Sequence, residues 1–338
     1  MFIVSSYTLA VVLCFITMLC WGSWANTQKI AAKSWRFELF YWDYVIGILL
    51  FSLLIGFTYG SSGTVGMGFV ESISQASMTS MINPIIGGII FNLSNILLVA
   101  AISIAGMAIA FPVGVGLCMV LGVLINYIAM PMGDPVLLFT GVGIVVIAII
   151  LDALAYKKLT LSEKKTPTKG IILSVVAGFL MAWFFRFVAS AIAVDPENTA
   201  AGMAEAGKLT PYAAFFFFVI GIVISNFLFN TYLMKKPIEG APVNFSQYFQ
   251  GNIRSHLSGI IGGMIWALGT SLSLLAANKA GYAISFGLGQ GATMIGAFWG
   301  VFIWKEFKGA SKSVNLLLAL MFLLFTAGLA LIIAAGNN

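Results

Sequence analysis

The 338-residue chain is short of charge: 17 Lys and Arg with 11 Asp and Glu make up only 8% of it, while 60% is hydrophobic and the mean hydropathy is +1.03. A soluble domain carries about 25% charged residues to clothe its surface. A water-soluble globule is therefore excluded. What remains is a fold in lipid, where no charged exterior is needed and every backbone polar group must be satisfied internally. Histidine is nearly missing, and His256 alone rules out any site needing two histidine ligands. The three cysteines, Cys14, Cys20 and Cys118, lie in apolar runs without paired spacing, which fits neither a disulfide framework nor a zinc site. There is no Walker sequence to cradle ATP, no metal-ligand cluster and no nucleophile arrangement around the lone histidine. An enzyme, an ATP-driven pump and a cofactor-bearing protein are thus not expected.

What is present is a series of long apolar runs. A span needs about 20 mostly apolar residues, and ten such runs occur, at roughly 6–24, 39–59, 84–104, 106–130, 136–156, 170–193, 211–234, 255–277, 281–303 and 313–334. They lack period-two alternation and exceed the ~10 residues of a barrel strand, so they are read as helices. The joint between spans 3 and 4 rests on Gly106, and that between 4 and 5 on Pro131 to Pro135. No basic stretch precedes the first run and no convincing cleavage site follows it, so it is read as a retained span.

The cations set the orientation. Lys29, Lys33, Arg36, Lys157, Lys158, Lys164, Lys165, Lys169, Lys235, Lys236, Arg254, Lys305, Lys308 and Lys312 all follow odd-numbered spans, whereas the opposite loops hold only Lys208 and Lys279 and Arg186 lies inside a span. The positive-inside rule makes the first set cytoplasmic and sends both termini and the stretch 194–210 outward. The net charge of +6 then needs no nucleic-acid partner.

Shifted by 175 residues, the chain matches itself. The stretch 105–119 (AGMAIAFPVGVGLCM) meets 280–294 (AGYAISFGLGQGATM) with eight of 15 positions identical, three of them glycines, and Asn95 falls opposite Thr270. The implied fold is an all-α polytopic membrane protein of ten helices in two inverted five-helix repeats, 1–156 and 170–338, joined by a cytoplasmic linker 157–169. Five spans per copy reverse the second copy's direction of entry. Such inverted repeats are the usual sequence sign of alternating-access transport, with substrate held near the midplane.

Polar side chains at span centres are costly in lipid, so each is either functional or interhelical glue. Asn92 and Asn95 share a face of span 3, as Asn226 and Asn230 do in span 7. Gln290 stands between two glycines in span 9. Carboxamides suit a neutral solute bearing hydroxyl or amide groups. Trp183 and Trp266 lie mid-span, where a flat ring can stack on a sugar face or heterocycle, while Trp21, Trp24, Trp42 and Trp304 are read as interfacial belt residues. Two charges lie inside spans. Asp43 is the candidate for proton coupling, with pairing to Lys29, Lys33 or Arg36 as the alternative, and Arg186 is read as a substrate contact or a partner for an acid. Asp152 reads as structural.

The runs WGSWANTQK (21–29), YWDY (41–44), GGIIFNLSNILLVAA (87–101), HLSGIIGGMIWALG (256–269) and KAGYAISFGLGQGATMIGAFWGVFIWKEF (279–307) resemble the ureide permease family, within the drug/metabolite transporter superfamily that also holds glucose/ribose porters and rhamnose-proton symporters. By this resemblance Asp43, Asn95, His256, Trp266, Gly281, Tyr282, Trp299 and Glu306 match family positions. Plant members carry a longer central loop than 157–169, and a Gly-Asn pair where this chain has Gly269-Thr270. The resemblance implies proton-coupled import of ureides or nucleobases, and its relatives imply monosaccharides. The expected function is a secondary transporter, a proton symporter of the inner (plasma) membrane, taking up a small neutral polar solute. A multidrug or metabolite exporter of the same fold is the alternative. The expected site is Asn92, Asn95, Trp183, Arg186, Asn226, Trp266, Thr270 and Gln290 for substrate and Asp43 for protons, with membrane lipid as the surroundings.

Overall fold

The computed structural model describes residues 1–31, 35–105, 107–159, 168–194, 205–238 and 240–336. Expectations that rest on Lys33, Gly106, Lys164, Lys165 or residues 195–204 lie outside the described residues.

In chain order the helices are α1 (Tyr7–Ser23), α2 (Ala25–Ala31), α3 (Phe37–Phe57), α4 (Phe69–Gln75), α5 (Met78–Ala105), α6 (Met107–Ala129), α7 (Pro135–Leu159), α8 (Thr168–Ala189), α9 (Pro211–Lys235), α10 (Phe245–Phe249), α11 (Ile253–Ala280), α12 (Tyr282–Gly289), α13 (Ala292–Phe298) and α14 (Lys312–Ala335). A π turn, Trp299–Ile303, extends α13. Among the described residues nine helical stretches are long and apolar enough to cross a membrane, and the apolar Val113–Ala129 within α6 makes a tenth, shorter helix. The protein is an all-helical, ten-span membrane protein.

Local chemistry explains several ends. Ser6 Oγ accepts the Leu9 N–H at 3.2 Å to open α1. Asp134 Oδ1 accepts from Val136 and Leu137 at 2.8 and 3.0 Å to open α7, just after Gly133 turns the chain at φ 83°. Such caps satisfy donors that the helix itself leaves unpaired. Gly281, at φ 87°, divides α11 from α12. Span 3 differs from expectation: α5 starts at Met78 and runs through Pro84, rather than starting at the proline. The short helices α4 and α10 have no counterpart in the span reading, because periodic apolar runs are what betray a span and these have none.

The ten spans pair in a pattern that survives exchange of the first five for the last five. Packing of α5 on α8 matches that of α11 on α1, α5 on α9 matches α11 on α3, and α6 on α8 matches α13 on α1; the pairs α3–α9, α6–α12 and α7–α14 each map onto themselves. Glycines set the closest approaches. A Cβ on Gly47 would lie 2.1 Å from the Ile260 carbonyl oxygen and one on Gly263 2.0 Å from that of Tyr44, where α3 crosses α11. Where α5 crosses α9, Gly88 faces the Phe218 carbonyl oxygen at 2.0 Å and Gly221 that of Ile85 at 2.1 Å. Residues 85 and 88 sit 175 positions before 260 and 263, the shift of the sequence repeat. Small residues that let backbones meet are how helices associate where lipid is as apolar as the side chains.

Gly263→Ala should therefore lower the thermal midpoint of the purified protein, since forced overpacking costs about 1–3 kcal/mol. Gly143→Ala, where an added Cβ meets nothing within 4 Å, is the matched control and should leave it unchanged. Equal midpoints would refute the tight crossing of α3 on α11.

Candidate functional site

A cavity of about 490 Å³ lies between the two sets of five spans. Its inner wall holds Phe91, Asn95, Trp266 and Gln290, and its walls carry Trp21, Trp24, Met181, Phe184 and Thr293. It runs out to Lys29, Tyr156, Trp299, Trp304 and Glu306, where the Lys29 and Glu306 side chains are 46% and 32% exposed. This volume falls in the range of small-molecule sites, about 300–1,000 Å³.

Two helix interruptions shape it. The first span breaks at Trp24, between α1 and α2, and the ninth breaks at Gln290 and Gly291, between α12 and α13. The π turn at Trp299 follows, with Lys305 held at φ 54° just beyond it. Both interruptions are slight: Trp24, Gln290 and Gly291 keep right-handed helical angles, so each span runs on through its turn.

Of the residues expected at the site, Asn95, Trp266 and Gln290 line the cavity together. The others lie elsewhere. Asn92 is fully buried, accepting from Tyr41 OH at 2.8 Å and donating to Ser225 Oγ at 2.9 Å, so it ties α3, α5 and α9 together. Asn226 is buried outside the lining with both amide atoms unpaired among the described residues. Thr270 lies behind Trp21, whose indole it binds. Trp183 faces outward, 38% exposed, with its ring edge against Phe179. Arg186 lies in the last turn of α8, away from the lining.

Trp21, Trp24 and Trp304, read from sequence as belt residues, turn inward instead. The signal was present: Trp21, Trp24, Ala25 and Gln28 recur at helical spacing, and all four line the cavity. Their nearness to the end of a span masked it. At the mouth Lys29 pairs with Glu306 and lies 4.4 Å from the Trp304 ring centre, while Tyr156 donates to Glu306 Oε2 at 3.0 Å. The Trp304 and Trp299 indoles donate to Asn26 and Ser23 at 2.6 and 2.9 Å.

Asp43 lies apart from the cavity in a box of its own. It is 1% exposed, and its Oδ1 accepts from Tyr248 OH at 2.6 Å and meets His256 Nδ1 at 2.8 Å, while Oδ2 accepts from Trp35 Nε1 at 3.0 Å. Gly259 makes the approach possible, since a Cβ there would lie 2.4 Å from Asp43 Cβ. The Trp35 and Tyr248 rings meet the imidazole edge-on at 5.0 and 4.9 Å. Burial and the hydrogen bond to Asp43 push the Tyr248 phenol well above its ordinary value, so it stays a donor. Lys29 and Arg36 are engaged elsewhere, Lys29 with Glu306 and Arg36 with Glu38. Lys33 lies outside the described residues.

The ureide permease family model matches residues 40–169 and 157–335. The chain is 22% identical to Ureide permease 1 of Arabidopsis thaliana over 392 aligned positions and 21% identical to Ureide permease 2 of the same plant over 400, with both partners covered fully in each case. It is 21% identical to Probable ureide permease A3 of Vigna unguiculata, covering 90% of this chain and 96% of that one. A solved crystal structure shares the fold at a TM-score of 0.62 and 15% identity, over 97% of this chain and 96% of its own. The chain belongs to the ureide permease family, a family of membrane transporters and not of enzymes.

Proposed function

We propose that the protein is a secondary active transporter that imports a small neutral polar solute of the ureide, nucleobase or monosaccharide class by alternating access, coupled to protons through Asp43. The observation that carries this reading is the cavity between the two five-span sets, with Asn95 and Gln290 as its deep polar groups among aromatic walls. Relatives named as ureide permeases favour the first solute class. The exchange-symmetric pairing of the spans supports inverted repeats over 1–156 and 170–338, joined by 157–169, the arrangement that lets two halves rock about a central site. With the cation-rich loops taken as cytoplasmic, the Lys29–Glu306 mouth faces the cytoplasm and both termini lie outside the inner (plasma) membrane. The polar groups at the inner wall bind by hydrogen bonds rather than charge, which fits a neutral cargo.

Proteoliposomes offered labelled allantoin, uracil or a hexose test the proposal. At least one should accumulate when the outside is acidic and only equilibrate when the gradient is collapsed. Uptake of none would sink the transport reading, and accumulation unaffected by the gradient would sink proton coupling.

A further inference from the structure

Asp152 is a buried carboxyl that nothing answers. It lies on α7 in a stripe of buried residues at helical spacing, with Val145, Ala148, Ile149 and Ala155, and is itself 9% exposed. Its Oδ1 is sealed from solvent with no hydrogen-bond partner among the described residues. The sequence reading makes Asp152 structural, yet no hydrogen bond or ion pair among those residues ties it to a neighbour. The helices packed closely on α7 are α14 and α6. The ionisable side chains of α14 come down to Lys312, exposed at its first position, and those of α6 to Cys118 and Tyr127. Lys157 and Lys158 are exposed at the end of α7 itself, as are Lys305 and Lys308 in the loop that meets it. Burial is what acts on the Asp152 carboxyl, with no cation beside it. Asp43 differs in kind, since Trp35, Tyr248 and His256 all reach it.

Tyr156 follows Asp152 by one turn on the same face, about 6 Å nearer the helix end at 1.5 Å per residue. It lines the cavity mouth and gives its one hydrogen to Glu306 Oε2 at 3.0 Å, so that hydrogen does not serve Asp152. The contact is seated on Gly300 in the π turn, where an added Cβ would lie 2.8 Å from the Tyr156 hydroxyl and 3.1 Å from Glu306 Oε2. Glu306 in turn pairs with the half-exposed Lys29. One tyrosine therefore stands between the open mouth and the buried acid. Taking an ionised carboxylate out of water is offset only by an opposite charge or by hydrogen-bond donors, and Asp152 is given neither. We infer that Asp152 is a second proton-binding site of the transport cycle, which exchanges its proton with the cytoplasm through the mouth at Tyr156. On release the proton passes from the Asp152 carboxyl to water in the mouth, and the Tyr156 hydroxyl turns from Glu306 to donate to the carboxylate left behind. This rests on the proton-coupled reading above and adds a site to the one at Asp43.

The test joins infrared spectroscopy of the reconstituted full chain to transport by the same preparation. A carboxylic-acid C=O component present at neutral pH in the wild type and in Asp43→Asn should be missing in Asp152→Asn, whose amide keeps the volume of the protonated acid. Reversal potentials with labelled allantoin or uracil should give about two protons per solute for the wild type, one for each carboxyl, and about one for Asp152→Asn. An acid band unchanged in Asp152→Asn would overturn the inference, as would a proton-to-solute ratio equal to that of the wild type. Should Asp152→Asn fail to fold, dicyclohexylcarbodiimide, an apolar reagent for protonated carboxyls, decides on the wild type: an adduct mapped to Asp152 by mass spectrometry supports the site, and its absence overturns it. Solute uptake by the wild type without protons would overturn the proton-coupled reading and this role of Asp152 together. If the wild type takes up nothing, the transport reading falls as well.

Discussion

Asp43→Asn should abolish accumulation driven by a proton gradient, while counterflow exchange of substrate across the same proteoliposomes continues and loses its dependence on pH. The expectation follows from the geometry around the carboxylate. Trp35 donates to Oδ2 and Tyr248 to Oδ1, so two of its three contacts present hydrogens to the carboxylate. The third, His256 Nδ1, either donates or accepts according to its tautomer. A proton coupled at this site would be shared by the Asp43–His256 pair, the contact that joins α3 to α11. These two helices also carry the reciprocal Gly47 and Gly263 crossing and reach the cavity through Trp266. Asparagine keeps the volume but cannot ionise, and turning its amide toward Trp35 would set one donor against another, at about 1–3 kcal/mol. That cost belongs to stability and is read separately from the thermal midpoint. If exchange and accumulation fall together, Asp43 serves binding or structure and proton coupling must lie elsewhere.

The contrast between this site and the spans shows what the linear sequence could reveal. Run length and apolarity alone placed the ten spans, most of them within a few residues and the third with its start six residues late, because lipid imposes its thickness on every one of them. The glycine and phenylalanine coincidences at a shift of 175 likewise foreshadowed a pairing pattern that exchange leaves unchanged. Asp43 stood out because charge is rare in a span, yet its partners come from three separate places: Trp35, two residues before α3, a five-residue helix, and the first turn of α11. No periodicity connects them, so the pairing suggested by nearness in sequence, with Lys29 or Arg36, is not the one that forms. The same applies to Trp183 and Trp21. Depth in a span suggested an inward Trp183, but depth says nothing about which way a helix faces, and Trp183 points outward while Trp21, nearer its span's end, lines the cavity.

Asn95→Leu should cut uptake at low substrate about 100-fold or more, leaving the thermal midpoint nearly unchanged, whereas Asn92→Leu should chiefly lower the thermal midpoint, with a smaller loss of uptake. The two residues lie one turn apart on α5 in the same hydrogen-bonded chain, Asn92 in its middle and Asn95 at its end, and the chain has a direction. It starts at α9, where Ser225 Oγ donates to the Gly221 carbonyl at 2.7 Å and accepts from Asn92 Nδ2. Backbone carbonyls cannot donate, so Asn92 must turn its nitrogen to α9 and its oxygen to Tyr41, which donates to it. Tyr41 oxygen is then left to accept, and Asn95 must offer it Nδ2, at 3.1 Å. Each step is forced by the one before. The outcome is that Asn95 presents its carbonyl oxygen as the free acceptor in the cavity, suited to a substrate N–H or O–H. Leucine at 95 removes that acceptor and leaves the substrate donor unpaired on binding, which is where large discrimination arises, about 1–3 kcal/mol per group and more when several groups depend on the same pose. Leucine at 92 instead leaves Tyr41 and Ser225 facing an apolar side chain between three packed helices, so the loss appears in stability. Tyr41→Phe distinguishes the directed chain from simple packing: it frees the Asn95 amide to flip, so uptake should weaken less than in Asn95→Leu while discrimination between N–H donors and pure acceptors, such as uracil and its N-methylated analogue, should relax. Unaltered discrimination in Tyr41→Phe would show that the orientation of Asn95 is not set by this chain.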